Sequence, residues 1–159
     1  MANNRARRVP VPEAILTDDD LKAPDYTCAF EVDQQPSDTR PAEEWLRAMF
    51  EEARPALRSF ILTGWIGVLR LRLGPRPSPG HVLGWRIRST TAGEIVIGVE
   101  GTLVSAHQVL RIGDGKVTHV TIVHFDRSLA RVIWGMAAPI HVRTIPRLMR
   151  RASAGLSGR

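Results

Sequence analysis

Residues His81 to Phe125 read HVLGWRIRSTTAGEIVIGVEGTLVSAHQVLRIGDGKVTHVTIVHF, with apolar side chains recurring at nearly every second position. That period is the signature of strands with one face buried. It divides into four strand candidates: His81 to Arg88, Glu94 to Glu100, Leu103 to Ile112 and Lys116 to Phe125. The segments between them, Ser89 to Gly93, Gly101-Thr102 and Gly113 to Gly115, are too short for crossovers, so neighbouring strands must run antiparallel. Asp114-Gly115 has the chemistry of a two-residue type I′ turn. Such a turn sets Ile112 opposite Val117, Leu110 opposite His119, Gln108 opposite Thr121, Ala106 opposite Val123 and Val104 opposite Phe125. One face is then mostly apolar, and the other carries Ser105, His107, Arg111, Thr118 and His124. A three-residue loop would mix the two classes, so the patterning favours the shorter turn. By the same alternation Leu83, Trp85 and Ile87, and Ile95, Ile97 and Val99, face inward.

Beyond the meander, Arg127 to about Ala154 has a helical pattern, with kinks expected at Pro139 and Pro146. Its Leu129, Val132, Ile133, Trp134, Met136 and Ile140 offer a cover for the apolar face of the sheet. Upstream, GPRPSPG (Gly74 to Gly80) is a loop. Ala56 to Leu73 reads as a helix ending at Gly74-Pro75; Gly64 and Gly67 within it either weaken the helix or admit a close backbone. A preceding helix carries Trp45, Leu46, Met49, Phe50, Ala53 and Leu57 on one face and Glu43–Arg47–Glu51 pairs on the other. Asp38 or Thr39 is its expected cap, and Pro55 its break. Tyr26 to Val32 is a first strand. Residues 1–20 read as a loose basic and acidic arm, 21–152 as one domain and 153–159 as a tail. The fold class is α+β, a curved antiparallel sheet against a long C-terminal helix with two helices after the first strand.

The 159 residues suit a single core. The net charge of +6 is unevenly placed: residues 9–140 hold 14 basic and 16 acidic side chains, and the excess lies in Arg5, Arg7, Arg8, Arg143, Arg147, Arg150, Arg151 and Arg159. Arg143, Arg147, Arg150 and Arg151 form one helical stripe. It is either a solvated face or a weak contact for an anionic membrane surface. Nucleic acid is not the expected partner, because no exposed aromatics interleave with the basic residues. The single cysteine, Cys28, excludes an internal disulfide and is expected to be buried. With no apolar leader and no span-length apolar run, a cytoplasmic location is expected. The histidines at 81, 107, 119, 124 and 141 lack convergent metal spacing, and no phosphate loop or nucleophile elbow occurs, so neither metal nor cofactor is expected.

GPRPSPGHVLGWRI (74–87), LRIGDGKVTHVTIVHFD (110–126) and LARVIWGMAAPIHVRTIPRLMRRA (129–152), in this element order, resemble the START-like superfamily. This is also called the SRPBCC or Bet v 1-like helix-grip fold; the closer likeness is to actinobacterial domains of unknown function within it. The resemblance implies an elongated apolar cavity between sheet and helix, holding lipids, steroids or polyketide-like molecules. Some members are cyclases or hydrolases. It assigns no functional residue.

The inward face predicts a cavity lined by Trp85, Ile97, Val99, Gln108, Leu110, His119, Thr121, Val123 and Trp134. Gln108, His119 and Thr121 are its polar groups, placed either to orient a ligand or to satisfy neighbouring backbone. The four tryptophans, Trp45, Trp65, Trp85 and Trp134, serve either as core or as a cavity wall. His124 and Asp126 share one side of a strand but face outward. Three functions follow: binding of an apolar small molecule; a cyclase- or dehydratase-type enzyme with His119 as acid–base group; or a partner-binding domain with a filled core. The sequence leaves oligomeric state open.

Overall fold

A computed structural model describes residues 5–16 and 23–155. The sheet has seven strands: β1 (Arg7–Val9), β2 (Tyr26–Asp33), β3 (His81–Val82), β4 (Trp85–Thr90), β5 (Glu94–Val99), β6 (Val104–Gly113) and β7 (Lys116–Phe125). Every pairing is antiparallel, in the order β1-β2-β7-β6-β5-β4-β3. The helices are α1 (Glu13–Leu16), α2 (Ala42–Phe50), α3 (Pro55–Thr63), which runs on into a π-helical turn at Gly64–Val68, and α4 (Ser128–Ala154). The open sheet with its long terminal helix is the α+β helix-grip arrangement.

The β6–β7 hairpin is built as its turn chemistry requires. Asp114 and Gly115 have φ of 53° and 71°, the left-handed values of a type I′ turn, and Gln108 pairs with Thr121 and Leu110 with His119. A second such turn divides the segment expected as one strand from His81 to Arg88. Leu83 (φ 45°) and Gly84 (φ 91°) fold it into the β3–β4 hairpin, with Val82 opposite Trp85.

Other local expectations are corrected. Pro41, not Asp38 or Thr39, occupies the N-cap of α2, without a side-chain cap bond. Asp38 instead takes two bonds from the Arg40 guanidinium, at 2.9 and 2.7 Å. The third helical stretch stops near Leu69 rather than Leu73, because Arg70 turns to φ 56° and Leu71 bridges Gly101. Gly64 and Gly67 meet no backbone; the space beside them is open.

The inner face of the sheet is covered by α2 through Trp45, Leu46, Met49 and Phe50, all buried. α4 also packs on α2, β2 and β7, and Ile145, Leu148, Met149 and Ala152 in its second half are buried. Arg40 bonds the Ala152 carbonyl at 3.0 Å and Gln35 the Ser153 carbonyl at 3.2 Å, so cationic and amide donors meet the negative end of the helix dipole. Ser153 is thus part of the packed body rather than of a tail. The first half of α4 differs from expectation. Leu129, Val132, Met136 and Ile140 are 48–65% exposed, and of the anticipated cover only Trp134 is buried.

The outer face is less polar than expected. Val109, Val120 and Ile122 form a small apolar cluster there, closed by Ile15 of α1 and flanked by Val9 and Val11. Part of the anticipated loose arm is therefore attached: β1 pairs along β2, Arg7 opposite Glu31. The Asp18–Asp20 triplet and residues 156–159 lie outside the described residues. Among the described residues no helix is long and apolar enough to cross a membrane.

Candidate functional site

A cavity of about 290 Å³ lies between the sheet, α3 with its π-turn, and α4. Its floor is Ala106, Gln108 and Thr121 on β6 and β7, with Trp85 from β4. Phe50 and Ile61 close one side, and Trp134, His141, Ile145 and Leu148 of α4 the other. Phe60, Val68, Met136 and Ile140 also line it and are about half exposed or more, so they mark its mouth. The Trp65 ring packs at a tilt against Trp85, centroids 5.2 Å apart, and against Phe50 at 5.6 Å, which makes one aromatic wall.

Of the residues predicted to line a cavity, Trp85, Gln108, Thr121 and Trp134 line this space. Ile97, Val99, Leu110 and Val123 are buried in the surrounding core and do not border it. His119 is also withheld. It sits behind Gln108, with Nε2 2.8 Å from Gln108 Oε1, and the Phe50 ring lies 6.3 Å away. Burial, helped by nearby His141, pushes its pKa down to about 3, so the imidazole is neutral. With Nε2 donating to Gln108, its buried Nδ1 has no partner among the described residues. Trp45 belongs to the core, under the Arg40 guanidinium at 4.6 Å.

His141 was not singled out from sequence. It reaches from α4 to Thr121, Nε2 to Oγ1 at 3.0 Å, and burial lowers its pKa to about 4. Cys28 lies opposite Thr121 on β2, and burial pushes its thiol pKa up, so it stays protonated. The signal for His141 is a stripe at helical spacing: Trp134, Ala137, His141, Ile145 and Leu148. The parallel stripe Leu129, Val132, Met136 and Ile140 continues into Arg143 and Arg147, which marks it as the solvent side. Arg143, Arg147, Arg150 and Arg151 are all exposed. Asp126 accepts from Ser105 at 3.3 Å on the outer rim, away from the cavity.

No protein-family model and no curated protein sequence matches the chain. Among solved structures, the crystal structure of CalU16 from Micromonospora echinospora is similar over 79% of this chain and 80% of its own. The two share 16% identical residues, with a TM-score of 0.32. A likeness that loose says nothing about ligand or activity.

Proposed function

We propose that this chain binds an apolar small molecule in the cavity between its sheet and α4, as the START-like resemblance implies. The cavity carries this reading. Its volume lies at the lower end of the range of roughly 300–1,000 Å³ usual for ligand sites, and its walls are aromatic and aliphatic with a few convergent polar groups. A filled core would leave no such space. A cyclase or dehydratase would need an acid–base group titrating near neutral pH against the substrate. His119, the acid–base candidate, does not border the cavity, which supports binding over catalysis.

The test is uptake of apolar fluorescent probes, followed by Trp65, Trp85 and Trp134 emission, with native mass spectrometry of protein purified without detergent. Saturable one-to-one uptake, or a co-purified small molecule, is expected. A protein that takes up no fatty acid, sterol or aromatic probe would overturn the reading.

A further inference from the structure

Among the buried residues that line the cavity, the hydrogen-bonding groups left free are donors. Gln108 is 2% exposed and its Oε1 is taken by His119. What remains of the amide is Nε2, with two N–H donors, and no acceptor among the described residues pairs with it. Trp85 and Trp134, also buried and also lining the cavity, carry indole N–H groups without partners among the described residues. An indole has no acceptor to offer. Thr121 Oγ1 and His141 Nε2 are engaged with each other. None of the lining residues is Asp, Glu, Lys or Arg.

Three unpartnered donor groups, no competing anion and no cation define what fits. A hydrocarbon would leave the Gln108 amide desolvated and unpaired. An ionised carboxylate would lose its hydration with no cation to replace it. Resting on the binding reading above, we infer that the cavity selects an uncharged molecule bearing a carbonyl-type oxygen, received by the Gln108 amide N–H. The bond from His119 is what turns that N–H toward the ligand, so His119 acts as a positioning residue.

Fluorenone and fluorene test this, because they share one flat apolar frame and differ in a single carbonyl. In the wild-type protein fluorenone should bind about tenfold tighter than fluorene by calorimetry or tryptophan quenching. In Gln108→Leu that ratio should fall to near one. Gln108→Met keeps the length of the side chain and removes both donors, so it should lose the preference as well and carries the comparison if Gln108→Leu fails to fold. Fluorene-9-carboxylate should bind more weakly than either. Equal binding of fluorene and fluorenone to the wild type overturns the inference and leaves the binding reading standing. If neither is bound, nor any other apolar probe, the binding reading fails and the inference with it.

Discussion

Gln108 and His119 sit diagonally across β6 and β7, joined at 2.8 Å inside the sheet's concave face. Their bond is fully enclosed, so its loss should register as stability. Gln108→Leu is expected to cost about 1–3 kcal/mol, because both ring nitrogens of His119 are then unpartnered. Adding His119→Leu removes the orphaned imidazole, so the double variant should be more stable than Gln108→Leu alone. Urea unfolding of the four proteins checks this; strictly additive losses would show that the two side chains are uncoupled.

Acid should weaken the fold through two buried imidazoles. His119 and His141 have folded pKa values of about 3 and about 4, both depressed by burial, against an ordinary value of 6.5. Below 6.5 the unfolded chain takes up protons that the folded chain refuses. The contribution is therefore complete above 6.5 and is lost as pH falls toward the folded values. For His119 alone the slope is about 1.4 kcal/mol per pH unit. Urea midpoints between about pH 7 and pH 5 should fall, and His119→Gln should flatten the decline by one proton.

The mouth should respond to charge without loss of fold. Met136 is 65% and Phe60 54% exposed, so Met136→Glu or Phe60→Glu should change stability by no more than about 0.5 kcal/mol. Either should weaken apolar probe binding about fivefold or more. Leu129→Glu, equally exposed but off the cavity lining, should not. Equal effects at all three positions would place the binding surface elsewhere.

Arg40 ties the start of α2 to the end of α4. Its removal strands Asp38, whose side chain is 1% exposed, and frees the Ala152 carbonyl. Arg40→Met is expected to cost about 2–4 kcal/mol by thermal or urea unfolding, with part of the loss returned by Asp38→Asn in the same background. An unchanged midpoint would mean that α4 is held by its apolar face alone.

The hairpin register was legible because it is local: a turn that needs two left-handed residues and a period-two pattern leave one solution for β6 and β7. The Leu83-Gly84 turn obeys the same chemistry, but Leu is an uncommon residue at positive φ, and the apolar run through it reads as continuous strand. Alternation put Gln108, His119 and Thr121 on one face correctly. It could not separate the residue that touches the cavity from the one behind it, because that depends on where Phe50 arrives from α2. On α4 two apolar stripes compete over residues 129–140. Only the downstream sequence, Ile145 and Leu148 on one and Arg143 and Arg147 on the other, tells them apart.

α4 divides its labour along its length. The stretch from Ile145 to Ser153 is packed and clamped, whereas Trp134, Met136, Ala137 and Ile140 border the opening, and Pro139, whose missing N–H leaves the Gly135 carbonyl without its helical partner, stands near the junction. Selection acting on the exposed part of this border can therefore retune which molecules are admitted while the scaffold keeps its strength. A library randomised at Met136, Ala137 and Ile140 should yield folded proteins with divergent appetites, and one randomised at Ile145, Leu148 and Met149 should yield mostly insoluble ones.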